Sequence, residues 1–228
     1  MHAVLAALEN PRRPPPQRLL ATAERARLVP AAVAAKVRPE VVEPVELRAG
    51  LPPGAVHQGL AVRMGPPTPT PLDALATPAA GILVLLDQVT DPQNVGAIFR
   101  SAAAFGARGV ILQERHAPPL SGALAKAAAG AVDLVPHARE VNLARSLERL
   151  DRAGWRAVGL DASAPVTLGE TLDERPTVLV LGAEGEGLRR LVAEHCETVA
   201  RIPLPGGLES LNVAAAAAVA LYEASRPR

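Results

Sequence analysis

The stretch Ile82-Leu83-Val84-Leu85-Leu86-Asp87-Gln88-Val89-Thr90-Asp91-Pro92-Gln93-Asn94-Val95-Gly96-Ala97-Ile98-Phe99-Arg100-Ser101 sets the fold class. Ile82 to Leu86 are apolar without interruption, which reads as a strand buried on both faces; a strand with one wet face would alternate. Asp91 then offers a capping side chain, and Pro92 suits the first helical position. Val95, Ile98, Phe99 and Ala102 recur at helical spacing and form an apolar stripe. Arg100 lies off that stripe and can reach solvent or a ligand. Asn94 and Arg100 are six residues apart and do not stack on one face, so Asn94 is placed at the helix mouth and Arg100 on the exposed side.

The alternation continues downstream. Val110–Leu112, Val132–Val135, Arg156–Leu160, Val178–Leu181 and Val199–Ile202 read as strands, and Leu120–Ala129, Val141–Ala153, Leu188–His195 and Leu211–Ser225 as helices. Apolar strands alternating with helices imply an α/β fold with a parallel sheet covered on both faces. Upstream, Val4, Leu5 and Leu8 predict a helix stopped by Pro11. Leu19 and Leu20, then Val29, Val33 and Val37, predict two more short helices. Val41, Val42, Val45 and Leu47 form one candidate strand, and Ala61, Val62 and Met64 another. Between Gly65 and Ala80, Pro66, Pro67, Pro69, Pro71 and Pro78 speak against any helix or central strand. The expected organisation is a small α/β unit over residues 1–64, a semi-rigid linker over 65–80 and a larger unit over 81–228.

Two later segments carry further chemistry. Leu181-Gly182-Ala183-Glu184-Gly185-Glu186-Gly187-Leu188 follows a strand and precedes an expected helix, and its glycines would let backbone amides approach a ligand. It comes after several strands, whereas a dinucleotide fingerprint sits in the first strand–helix turn. In Ile202-Pro203-Leu204-Pro205-Gly206-Gly207-Leu208-Glu209-Ser210-Leu211-Asn212-Val213 a strand leads through an irregular loop into a helix. Ser210 is the expected N-cap. Asn212 in a first helical turn is poorly explained by propensity, which favours a local polar contact or a ligand. Taken singly, Arg100 could be an ordinary surface arginine, Glu184 a solvent-facing loop acid and Asn94 a turn residue.

Composition narrows the function classes. Of 228 residues 49% are hydrophobic, enough for a sizeable core, and the net charge is +1. Residues 1–63 nevertheless hold nine arginine and lysine side chains against five glutamates, so the basic excess sits at the front, as suits a segment that meets phosphates. Solvated helix faces would give the same count. Cys196 is alone, which excludes a disulfide within the chain and speaks against a structural zinc site. No metal ligand cluster is present, so no metal is expected. No signal peptide pattern opens the sequence, and the apolar run Leu211–Tyr222 falls short of the ~20 residues that span a bilayer. A soluble cytoplasmic protein is expected. Aromatic residues make up 2%, too few for recognition of single strands by base stacking.

The order and joint content of the three segments resemble the SpoU (TrmH-like) branch of RNA methyltransferases within the SPOUT superfamily. The resemblance covers about residues 82–226. The opening His2-Ala3-Val4 with Leu8-Glu9, and later His57-Gln58-Gly59, resemble the N-terminal domain of the 23S rRNA 2'-O-methylguanosine enzymes, which is similar to ribosomal protein L30e. This resemblance implies a C-terminal domain with a deep trefoil knot, a homodimer, and S-adenosyl-L-methionine bound by Leu181, Gly182, Gly187, Ile202, Leu204 and Leu211. It implies Arg100 as the principal catalytic residue, with Asn94, Glu184, Ser210 and Asn212 orienting substrate and loops. The implied reaction is 2'-O-ribose methylation of structured RNA, with guanosine of 23S rRNA as the substrate. A tRNA ribose methyltransferase, a non-catalytic RNA-binding assembly factor and a phosphate-binding α/β protein remain as alternatives.

Overall fold

The computed structural model describes residues 2–51 and 57–227; residues 1, 52–56 and 228, which fall within the expected units 1–64 and 81–228, lie outside the described residues. In chain order the first elements are α1 (His2–Glu9), β1 (Arg18–Ala21), α2 (Ala23–Ala26), α3 (Ala31–Ala34), β2 (Pro39–Val41), α4 (Pro44–Ala49) and β3 (Leu60–Arg63). β1 pairs with β2 in parallel and with β3 antiparallel, and Leu8, Leu19, Ala21, Val33 and Leu60 are buried together. Leu19 and Leu20 therefore lie in a strand and not in the expected helix. Buried Leu19 and Ala21 flank a half-buried Leu20, the period of two that adjacent leucines conceal. Val45 and Leu47 lie in α4 and not in a strand, because Pro44 presets the first helical turn and only Leu47 needs burial.

The remaining elements are α5 (Leu72–Ala76), β4 (Ile82–Leu86), α6 (Pro92–Ala104), β5 (Gly109–Gln113), α7 (Gly122–Ala128), α8 (Ala131–Leu134), β6 (His137–Glu140), α9 (Leu143–Arg152), β7 (Arg156–Leu160), β8 (Val166–Thr167), α10 (Leu168–Thr171), β9 (Thr177–Leu181), α11 (Arg190–Ala193), β10 (Thr198–Arg201) and α12 (Val213–Ser225). The strands form one sheet in the order β6-β5-β4-β9-β7-β10-β8, with every pairing parallel. β4 alternates cleanly between faces. Val84 and Leu86 pack with Val95, Ile98 and Phe99 of α6 and Ala217 and Leu221 of α12. Leu83 and Leu85 pack with Leu143, Leu147 and Leu150 of α9. This is the two-sided burial that the apolar run in 82–86 predicts. At Gly96 a Cβ would lie 2.6 Å from the Leu124 carbonyl oxygen, so the glycine lets α6 and α7 touch backbone to side. No helix of the described residues is long and apolar enough to cross a membrane.

Three further expectations are corrected. The proline-rich stretch contains α5, because Pro71 stands just before the helix, where its fixed φ is compatible with helix entry. α5 is part of the core: Leu72, Leu75 and Ala76 are buried, and Trp155 Nε1 donates to the Ala76 carbonyl at 2.8 Å. Val132–Val135 is not a strand, for α8 occupies Ala131–Leu134 and the strand follows at His137; a short apolar run fits either element. Of the expected helix Leu188–His195 only Arg190–Ala193 is helical, because Arg189 is bound elsewhere, as described below. The short β8 and α10 had no counterpart in the sequence reading.

Asp133 of α8 joins the N-terminal elements to the large sheet. Its side chain is 3% exposed and accepts from Arg13 Nε at 2.5 Å and Nη2 at 3.0 Å and from Asn10 Nδ2 at 2.9 Å, while Arg12 Nη2 donates to its carbonyl at 2.8 Å. Removing one partner of such a buried pair strands the others away from water. Asp133→Ala should therefore lose about 3–5 kcal/mol of unfolding free energy in urea. A loss below about 1 kcal/mol would show that Arg13 and Asn10 find water instead.

His137, at the start of β6, is buried with its ring edge-on to Phe99, and neither ring nitrogen has a hydrogen-bond partner among the described residues. Burial first, then the charges of Arg139 and Arg12, lower its pKa from 6.5 to about 4. The folded protein thus refuses a proton that the unfolded chain accepts, and stability present above pH 6.5 declines as the pH falls towards about 4. Urea midpoints taken from pH 7 to 4.5 should drop less in His137→Leu than in the unaltered chain; coincident profiles would acquit His137.

Candidate active site

In a parallel sheet every strand ends on one edge, so the loops after β7, β9 and β10 meet there, beside the mouth of α6 that follows β4. They enclose a cavity of about 420 Å³. Leu181, Gly182, Gly187, Ile202, Leu204 and Leu211 all line it, as do Glu184, Ser210 and Asn212. Nine of the eleven residues singled out from sequence therefore face one space, from the loop after β9 and from the loop that leads from β10 into α12.

The loop after β9 is closed on itself. Ala183 and Gly187 exchange backbone hydrogen bonds at 3.1 and 3.0 Å, with Gly185 and Gly187 at φ of +84° and +66°. A Cβ on Gly182 would lie 2.1 Å from the Gly187 carbonyl carbon, so this glycine is needed for the turn to close. Beyond it the loop is anchored by Asp87, fully buried at the end of β4, whose carboxylate accepts the Arg189 backbone N–H at 2.9 Å and Nε at 2.7 Å. That anchor holds Leu188 and Arg189 out of the helix. Cys196 is half-buried beneath the same loop, and burial, then the Asp87 charge, push its thiol up to about 12, so it stays protonated.

Glu184 ties the three segments together. Its Oε1 accepts from Asn94 Nδ2 at 3.0 Å, Asn212 Nδ2 at 2.6 Å and the Val213 backbone N–H at 3.3 Å. Asn212 Nδ2 also donates to Asn94 Oδ1 at 3.0 Å. Asn212, and not Ser210, is the N-cap of α12: its Oδ1 accepts from the backbone N–H groups of Ala214 and Ala215 at 2.9 and 3.3 Å. One amide side chain thus caps a helix with its oxygen and binds the glycine loop and α6 with its nitrogen. Asp91 caps α6 as expected, accepting the Gln93 N–H.

Arg100 stands apart. It is exposed on α6, makes no hydrogen bond or ion pair among the described residues, and does not line the cavity. Six residues of helix place it about 9 Å along the axis from Asn94. The sequence reading missed Leu160, Asp161 and Ala162 at the end of β7, and Ala216 of α12, which complete the wall. β7 was legible as a strand, but nothing in the sequence places it beside β9. The ionisable groups among the lining residues are Asp161, Glu184 and Glu186, all acids. Such a wall favours a cationic ligand and disfavours phosphates.

The model of the SpoU rRNA Methylase family matches residues 81–222, the span that supplies every wall of this cavity. The chain belongs to this family. An uncharacterised tRNA/rRNA methyltransferase of Mycolicibacterium smegmatis is 44% identical over 178 residues, which cover 76% of this chain and 57% of that one. The chain thus spans little more than half the length of that curated relative. An AdoMet-bound rRNA methyltransferase from Sinorhizobium meliloti superposes with a TM-score of 0.80 at 29% identity, covering 98% of this chain and 84% of the other. A structure concerned with 2-OH methylation of C/U34 on tRNA superposes with a TM-score of 0.57 at 33% identity, covering 64% of this chain and 95% of the other.

Asn212→Ala removes the cap of α12 and two side-chain contacts. It should lower the unfolding free energy by about 1–2 kcal/mol. An unchanged urea midpoint would show that solvent replaces these contacts without loss.

Proposed function

We propose that this SpoU-family protein is an S-adenosyl-L-methionine-dependent RNA methyltransferase that acts on the ribose 2'-hydroxyl, with a guanosine of 23S rRNA as substrate. The observation that carries the reading is the convergence of Gly182, Ile202 and Leu211 on one acid-walled cavity whose mouth is braced by Asn94, Glu184 and Asn212. A donor with a sulfonium and an ammonium group suits that wall better than ATP or NAD, which speaks against the phosphate-binding alternative. Match to an rRNA methyltransferase over 98% of the chain, N-terminal elements included, supports rRNA; the tRNA-related structure matches 64%. The higher identity of the latter keeps tRNA as the second reading.

In this proposal Leu181, Gly182, Gly187, Ile202, Leu204 and Leu211 hold the methyl donor. The donor already carries a good leaving group, so the protein chiefly aligns the hydroxyl oxygen with the methyl carbon, a contribution of ~7–11 kcal/mol in favourable cases. Asn94, Glu184, Ser210 and Asn212 keep the loops and the target ribose in register. Arg100 is outside the cavity and has no hydrogen bond or ion pair among the described residues. Its guanidinium serves the RNA by fixing a phosphate and stabilising the developing 2'-oxyanion. No metal has a role. Residues 1–64 would contact RNA as an L30e-like unit, and residues 65–80 would join it to a knotted methyltransferase unit over 81–228. A homodimer working in the cytoplasm completes the reading.

The test is transfer of tritiated methyl from S-adenosylmethionine to rRNA and to tRNA that lack the modification, followed by nuclease mapping. Label in a ribose of 23S rRNA is expected. Label confined to tRNA would move the substrate to the second reading, and no binding of S-adenosylhomocysteine would favour the assembly factor. Arg100→Ala should lower the rate ~10²–10³-fold with S-adenosylhomocysteine affinity unchanged within twofold. A near-normal rate would remove Arg100 from the chemistry.

A further inference from the structure

Three carboxylates line the cavity wall, those of Asp161, Glu184 and Glu186. Asp161 follows β7, which pairs with both β9 and β10, so its side chain sits between the glycine loop and the Ile202 loop. Glu184 spends one carboxylate oxygen on the brace. Asp161 is differently committed. Its Oδ1 accepts the Ser163 N–H at 2.8 Å and the Ser163 hydroxyl at 2.6 Å, which closes the turn after β7. Its Oδ2 receives no hydrogen bond among the described residues and lies 3.7 Å from the point where a side chain at Gly187 would begin. The turn thus fixes one oxygen and leaves the other in the cavity wall, beside Gly187 of the glycine loop. The Ser163 hydroxyl, then its backbone N–H, hold the Asp161 carboxyl below the ordinary range, so it is ionised at neutral pH.

We propose that Asp161 Oδ2 is a ligand-reading group that accepts an N–H or O–H donor of the bound methyl donor. This rests on the S-adenosylmethionine reading above and adds a residue to it. The ligand offers such donors in two places, the ribose hydroxyls and the amino-acid ammonium. A charged acceptor held in place by its own turn makes a strong hydrogen bond without further ordering. Ile202, Leu204 and Leu211 supply apolar contact, which discriminates only weakly for a hydroxyl and offers an ammonium no partner.

Asp161→Asn tests this, because the amide oxygen can still accept from Ser163 and preserve the turn. Calorimetric titration of the full chain with S-adenosylhomocysteine should show affinity lowered about tenfold, as expected for one charge-assisted hydrogen bond. Asp161→Ala, which also loses the turn, should lose at least as much. Ser163→Ala, which keeps the carboxylate, should lose less than either. The same titrations with 5'-methylthioadenosine, which has the ribose and lacks the amino acid, locate the donor. An equal loss assigns the ribose hydroxyls, and no loss assigns the ammonium. Asp161→Asn protein with an unchanged melting temperature and S-adenosylhomocysteine affinity within twofold of the unaltered chain overturns the proposal. An unaltered chain that fails to bind S-adenosylhomocysteine instead rejects the methyl-donor reading on which it rests.

Discussion

The site depends on β9 lying between β4 and β7. β9 is formed late in the chain, yet it pairs through Val178–Val180 with Leu83–Leu85 on one side and Ala157–Gly159 on the other. Parallel pairing on both sides fixes its direction, and so delivers Gly182 to the same edge as Asp87 and Asp161. A slip of one residue in either pairing would turn the inward side chains of β9 to the opposite face and disrupt both halves of the core. The positions of the loops are thus set by apolar packing, and the loops themselves need only close.

Two carboxylates at the strand ends do that closing. Asp87 is fully buried and holds Arg189, so the glycine loop is anchored where it leaves the cavity. Glu184 is exposed and binds α6 and α12 through amide side chains. The Asp87 carboxylate is shielded from solvent, although its partner Arg189 is 41% exposed, whereas the Glu184 contacts remain open to exchange with water or with a ligand group. This difference suits a pocket with a firm floor and an adjustable rim. Arg100 lies on α6 outside this cavity and has no partner among the described residues, while the cavity's acids would repel the phosphates that an arginine attracts.

The N-terminal elements bear a related logic at the other end of the large sheet. Arg13, Arg12 and Asn10 converge on Asp133, ahead of β6, and the chain between the units is stitched to the sheet by Trp155 and α5. Three residues of a basic front segment are therefore used for attachment. The charge count that suggested a phosphate-binding segment overstates the cations left unpaired there, because Arg18 is likewise paired with Glu40.

The large unit was legible in the sequence wherever a pattern was longer than one turn or one pleat. The apolar run at 82–86, the Asp91-Pro92 cap, the stripe of α6 and the long α9 and α12 are local consequences of side-chain type, and they fold as read. The family motifs likewise marked Asn94, Gly182, Glu184 and Asn212 before any contact was known. Short elements failed, as at Leu19-Leu20, Val45 and Val132, because four apolar residues satisfy a helix and a strand equally. Strand order, the wall supplied by Asp161, the capping role of Asn212 in place of Ser210, and the burial of Asp87 and Asp133 were decided only by tertiary structure. Each depends on which distant segment lies alongside, and that choice is made by the whole core at once, not by the residues on either side.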